Sequence, residues 1–336
     1  MKHIHLFILL FAAAISFPVS KARAQDSLPG SWIDISRINL VRNIGNNVSS
    51  IYLEKKESLE ESFATLTFSP GLKHKRAIPV NYISKKAVLT FNIFNNADTV
   101  AAVYFSPGFF FQHISLYSAR GDELKKIPPV HPPITDSAGF LLINLSAHDS
   151  LKIVAELVFV KTHIASVRPR LIHPQYLRSF MAEMRSTHNQ DNFFTYIFSG
   201  LLLMMILFSM ANYLQGGNRE FLYYSGYAFF LGSMLLTKAI YDYRISELSF
   251  FLESYLDFIF QSLGIMFYMI FMQRFLDTRN KHPFLHKLYN ISIGLLAISM
   301  LCYSGLHYLS DNFVAENLVE NITKLLLLAM TVIFII

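Results

Sequence analysis

Side chains able to do chemistry are thinly spread in this 336-residue chain. No Gly-rich phosphate loop, G-x-S-x-G elbow or H-E-x-x-H pair occurs, so the motifs that mark phosphoryl, acyl or zinc chemistry are missing from the sequence. His113, His131, His148, His163 and His173 stand singly in the first half. His282 and His286 have the i, i+4 spacing of a helical metal pair, but Pro283 lies between them and no third ligand accompanies them. The single cysteine, Cys302, excludes an intrachain disulfide and any zinc site built on paired cysteines. The expectation is a protein that is no enzyme and holds no metal or cofactor.

One run points to binding instead. In Phe109-Phe110-Phe111, a strand would send successive side chains to opposite faces, turning Phe110 away from its two neighbours. A ring not used by the core can stack on a sugar or another flat ligand; a loop or a partner can equally cover it. Phe110, with Tyr104 and Tyr117 beside it, is therefore the candidate site for a small-molecule or glycan ligand.

The elements that would position these residues differ sharply between the two halves. The chain is 53% hydrophobic and only 15% charged, against about 25% charge in ordinary soluble domains, and its mean hydropathy is +0.36. Apolar residues are alternating before residue 190 and nearly continuous after it. The composition thus excludes one soluble domain and implies a water-exposed half joined to a membrane half. The net charge of +6 is scattered, its densest cluster being Lys73-His74-Lys75-Arg76, and a nucleic-acid partner is not expected.

Residues 1–24 read as a signal peptide. Positive charge at Lys2 is followed by the 12-residue apolar core 6–17, Pro18 and the small-x-small triplet Ala22-Arg23-Ala24. Twelve residues span about 18 Å of helix, too short for a ~30 Å hydrocarbon layer.

From 25 to 170 the pattern predicts an exported all-β sandwich or jelly roll. Its strand candidates are 63–68, 87–94, 100–105, 111–117, 139–144 and 151–158, with turns at Asn95-Asn96-Ala97-Asp98, Pro107-Gly108, Arg120-Gly121-Asp122 and Ala147-His148-Asp149. Many short strands without crossover helices favour an antiparallel sandwich. Residues 171–192 form an amphipathic juxtamembrane linker, with Tyr176, Leu177, Phe180, Met181 and Met184 at helical spacing. It is either a mechanical coupler or a helix lying at the lipid surface.

Residues 193–336 predict an all-α transmembrane bundle with five spans near 193–214, 221–241, 255–272, 288–309 and 317–336. With the sandwich outside, the inner loops hold Arg219, Arg274, Arg279, Lys281 and Lys287. The outer loops hold Arg244 beside Asp242, Glu247, Glu253, Asp311 and Glu316. The positive-inside rule and the signal peptide therefore give one topology. Lys238, near the outer end of the second span, is read either as a snorkelling side chain or as an interior functional lysine. The fifth span stops without an anchoring residue, and the expectation is a longer protein of seven spans.

In this order of parts, and in Asn218-Arg219-Glu220-Phe221-Leu222-Tyr223-Tyr224-Ser225-Gly226-Tyr227 and Gln273-Arg274-Phe275-Leu276-Asp277-Thr278-Arg279 with Pro283, Leu285, His286 and Lys287, the chain resembles the bacterial seven-transmembrane receptors with diverse intracellular signalling modules. Val88 to Asn95 and His113 to Tyr117 look like strands of that family's exported sensor domain. The resemblance implies a multi-pass receptor of the bacterial inner membrane whose periplasmic jelly roll binds a carbohydrate-like ligand. The bundle would then relay the event to a cytoplasmic output module. A transporter component with a substrate-presenting exported domain is the alternative. Transporters place polar groups and broken helices near the midplane, whereas the centres of spans one, four and five carry no charge.

Overall fold

The computed structural model describes residues 31–74, 77–121, 123–133, 139–241, 246–310 and 312–335. The expected signal peptide lies outside the described residues, as do Asp242, Arg244 and Asp311.

Eleven strands among the described residues build a two-sheet sandwich: β1 Ile33–Asp34, β2 Val41–Asn43, β3 Ser49–Glu54, β4 Ser69–Pro70, β5 Lys85–Phe94, β6 Ala101–Phe109, β7 Phe111–Arg120, β8 Glu123–Ile127, β9 Leu141–Leu145, β10 Ser150–Phe159 and β11 Ser166–Ile172. One sheet runs β4-β3-β5-β10-β7-β8, with β1 added in parallel to β5; the other runs β2-β11-β6-β9. Every other pairing is antiparallel. Consecutive strands repeatedly change sheet, so the two inner faces interleave residues from the whole length of the domain. Ala87, Leu89, Phe91 and Ile93 of β5 point inward to meet Val103 and Phe105 of β6, and Phe91 stacks on Phe105 at 5.3 Å.

The outer faces are covered too. Residues 63–68 do not form the expected strand. Phe63–Thr65 is a 3-10 turn that lays Phe63, Leu66 and Phe68 over Val88, Tyr117 and Val154 on the outer face of the first sheet. The alternation is real, but it serves a cover rather than a ladder. Pro107-Gly108 is likewise not a turn: it lies inside β6, where the register against β11 slips between Val167 and Arg170. Gly108 has φ +127°, and a Cβ there would lie 2.3 Å from the Ser166 carbonyl oxygen, so the bulge requires glycine.

Among the described residues five long helices follow: α1 Leu177–Gly216, α2 Arg219–Tyr241, α3 Glu247–Phe275 with a π turn at Leu252–Leu256, α4 Pro283–Leu309 and α5 Phe313–Ile335. The amphipathic linker and the first expected span are thus one continuous helix. Leu177, Phe180 and Met181 bury themselves against Phe140 and Ile172 of the sandwich, so the linker docks on the domain rather than lying on lipid. Neighbouring helices pack in sequence order, α1 on α2, α2 on α3, α3 on α4 and α4 on α5. At Gly226 of α2 an added Cβ would strike the Phe267 ring at 2.5 Å, a close approach typical of membrane helices.

Three of the helices are long and apolar enough to cross a membrane: 192–216 within α1, α3 and α4. Phe194, Phe198, Met204 and Phe208 stand exposed along α1, a surface that suits lipid rather than water. The other two expected spans form as helices of 23 residues, α2 and α5, which carry Lys238 and Glu316, Glu320 and Lys324 respectively.

Candidate functional site

Connections between strands of the sandwich meet the helices. Phe110 joins β6 to β7, and residues 160–165 join β10 to β11; the Val160 amide donates to the Phe110 carbonyl at 3.0 Å. From the second connection Lys161 reaches into the turn between α4 and α5. Its ammonium donates to the carbonyls of Ser310 (2.9 Å) and His307 (3.3 Å) and to Glu316 Oε1 (2.7 Å). These are all three of its donors. The two carbonyls belong to the C-terminal end of α4, and Glu316 to the first turn of α5. One cation therefore satisfies the orphan acceptors and negative dipole end of one helix, and neutralises a carboxylate at the positive end of the next.

Glu316 is 0% exposed. A carboxylate so placed must be paired and hydrogen-bonded, and its second oxygen lies 3.3 Å from His307 Nδ1. His307 is held in a slot of tyrosines, 4.9 Å from the Tyr255 ring and 5.2 Å from that of Tyr308. Next to Lys161, the Thr162 hydroxyl donates to Glu253 Oε1 at 3.2 Å, and the His163 ring lies 5.3 Å from that of Phe313. Phe313, the first residue of α5, is 2% exposed; it packs within the sandwich's own core cluster, and its amide donates to Ser84 Oγ at 3.0 Å. The sandwich and the helical half thus share a core residue.

A cavity of about 320 Å³ lies between the two bodies. Phe110 and Ile164 line it from the sandwich, Asn192 and Thr195 from α1, Lys238 from α2, and Glu253, Asp257 and Phe260 from α3. Lys238 Nζ stands 2.9 Å from Asp257 Oδ1, so the lysine is not solitary. At the opposite ends of the helices the chemistry changes. Arg219, Arg274, Arg279, Lys281 and Lys287 lie there; Gln273 Nε2 of α3 donates to Asn290 Oδ1 of α4 at 2.9 Å, and the Asn290 amide lies 3.2 Å from His286 Nε2 on the same helix. Thr278 lies 3.3 Å from the other His286 nitrogen. Among the described residues no three His, Cys, Asp or Glu side chains gather as a metal site.

The three aromatics expected to bind ligand do not converge. Phe110 is 9% exposed and adopts φ +62°, a left-handed conformation that strand geometry does not anticipate; it packs with the sandwich core and roofs the cavity. Tyr117 is buried on the outer face of the first sheet, where its hydroxyl donates to Glu156 Oε2 at 3.1 Å and Glu156 in turn pairs with Lys86 at 2.6 Å. Burial, and then the Glu156 charge, push its phenol up to about 12. Tyr104 is half-buried on the outer face of the other sheet, under the start of α1. Lys161, His307, Phe313 and Glu316 were not among the expected site residues. Nothing beside these four residues in the sequence marks them as a group.

Residues 191–336 match the family described as 7TM diverse intracellular signalling. No curated protein matches the chain. The helical half is therefore a membrane signalling domain of that kind, preceded by the β-sandwich.

Proposed function

We propose that the chain is the sensing and membrane portion of a signalling receptor. The sandwich is exported, binds an extracytoplasmic small molecule and is not an enzyme. The helices, crossing five times, carry its movement to a signalling partner at the basic ends. The observation that carries this reading is Phe313 seated in the sandwich core beside the Lys161–Glu316 pair: a tethered but independent domain would not place a membrane helix inside its own hydrophobic core.

The sheet order β2-β11-β6-β9 facing β3-β5-β10-β7-β8 supports the jelly-roll reading. The charge distribution supports the orientation. Glu247, Glu253, Asp257, Glu316 and Glu320 lie at the sandwich side and the arginine and lysine cluster at the far side, as the positive-inside rule requires for an exported sandwich. Against a transporter stands the absence of charged residues along 193–214 of α1 and 288–306 of α4.

Fusion reporters test the orientation on which the proposal depends. A reporter active only in the cytoplasm should work after Lys287 and fail after Asp149. The reverse pattern removes the receptor reading altogether.

A further inference from the structure

We propose that the groove between the basic ends of α1 and α3 is a lipid site. It takes one anionic phospholipid, its phosphate at Arg274 and an acyl chain along Phe208, Tyr224 and Phe271. That these ends lie in the cytoplasmic leaflet rests on the receptor reading; the chemistry of the site does not.

The walls give the apolar part. α2 packs on both α1 and α3 and floors the space between them, which measures about 810 Å³, in the upper part of the range for small-molecule sites. Tyr224 of α2 touches both walls: its hydroxyl donates to Met205 Sδ of α1 at 3.5 Å, and its ring lies 5.2 Å from that of Phe271 on α3. Phe271 stacks in turn on Phe275 at 5.4 Å, which carries the aromatic wall to the last turn of α3, where Arg274 stands. Leu201, Met204, Met205 and Phe208 line the groove from α1 and are exposed. From Leu201 to Phe208 it follows about 10 Å of helix, against roughly 15 Å for the hydrocarbon of one leaflet. An open apolar trough of that length within a span suits an acyl chain.

The charge at the mouth sets the headgroup. The Arg274 guanidinium lines the groove, is exposed, and makes no ion pair or hydrogen bond with another described residue. In the segments 215–220 and 273–287, which join the helices at this end, the five cations Arg219, Arg274, Arg279, Lys281 and Lys287 are all exposed and outnumber the two carboxylates, Glu220 and Asp277. Asp277 already accepts from the Asn280 amide at 3.0 and 3.1 Å, and Glu220 is the one carboxylate among the described lining residues. A headgroup of net negative charge meets this surplus, whereas a choline headgroup adds a cation of its own to it. Arginine presents the planar fork that holds two phosphate oxygens at once. The lipid, once seated, touches α1, α2 and α3 together.

The test is native mass spectrometry of the full chain in detergent, titrated with dioleoyl phosphatidylglycerol and, separately, with dioleoyl phosphatidylcholine, which share both chains and differ in headgroup charge. The glycerol lipid should bind at least about fivefold more tightly. Arg274→Gln should weaken it by about tenfold and leave the choline lipid unchanged. Met205→Trp, which fills the groove and leaves every charge in place, should weaken both lipids. Arg178→Gln, which removes an exposed cation at the sandwich end of α1, should change neither. Equal binding of the two lipids would show a trough that any acyl chain fills and would overturn the proposal. So would glycerol-lipid binding that Arg274→Gln lowers no more than Arg178→Gln does, or that a folded Met205→Trp leaves intact. Excess glycerol 3-phosphate should not displace the lipid; full displacement would mark a site for soluble phosphate and overturn the lipid assignment. If Met205→Trp does not fold, the Arg274→Gln comparison decides alone. The binding is read without reference to orientation, so its failure beside the expected reporter pattern removes this site and leaves the receptor reading intact.

Discussion

The Lys161 ammonium lies 2.7 Å from Glu316 Oε1, joining the last loop of the sandwich to the first turn of the last helix across 155 residues of sequence. Lys161 has 12% side-chain exposure and Glu316 none, so water does little to screen the pair. Neither charge is comfortable without the other. The contact therefore acts as a condition on the relative position of sandwich and bundle: moving one body away leaves a carboxylate stranded in a dry site.

Removing the lysine alone should show that cost. Lys161→Met leaves Glu316 buried without its cation and should destabilise the junction by about 3–5 kcal/mol, whereas Lys161→Met combined with Glu316→Leu should recover most of the loss. Thermal unfolding of the full chain in nanodiscs checks this. A double variant no more stable than the single one would show that Glu316 does not depend on Lys161.

Phe313→Ala should cost about 3–5 kcal/mol, the usual penalty for emptying a large aromatic site. The loss should appear in the sandwich, as weaker amide protection in β5 and β6, although the residue lies in α5. Phe284→Ala, at a position 73% exposed, should change stability by no more than about 0.5 kcal/mol. If β5 and β6 keep their protection in Phe313→Ala, the shared core has no energetic reality.

The Tyr117 phenol gives the sandwich a pH signature. Burial and Glu156 raise it to about 12 in the folded protein, while the unfolded phenol ionises near 10. The unfolded state loses its proton first, so this contribution is whole below about pH 10 and declines as pH rises from there towards about 12. Tyr117→Phe should make the alkaline decline shallower, leaving the share of Tyr52, whose phenol burial also raises to about 12. The comparison is the melting temperature of the two proteins from about pH 9 to 11.5; parallel curves would show that Tyr117 titrates like an exposed phenol.

How much of this could be read from residues alone depends on the range of each contact. Strands β5, β7, β9 and β10 follow from period-two patterns, because a sheet buried on its inner face imposes that alternation locally. β11 escapes it, since Ser166-Val167-Arg168-Pro169-Arg170-Leu171-Ile172 breaks the alternation with two arginines and a bulge-side proline. β8 is too polar to register. The 63–68 run alternates for another reason, lying across a sheet instead of within one. Phe110 was legible as unusual but not as left-handed, because φ is fixed by the crossing of two connections. The Lys161, His307, Phe313 and Glu316 cluster was not legible at all. Each residue is unremarkable beside its sequence neighbours, and only the docking of the sandwich on the helix ends brings them together.

Hydrogen exchange of the full chain in nanodiscs, wild type against Lys161→Met, tests most directly whether the junction transmits. Loosening the pair should lower protection at 306–320, where α4 and α5 meet the sandwich. It should also lower protection at 273–287, the basic segment at the opposite end of α3 and α4. A change that stops at 306–320, with 273–287 exchanging as in the wild type, would contradict the claim that the helices carry the sandwich's state to the far end.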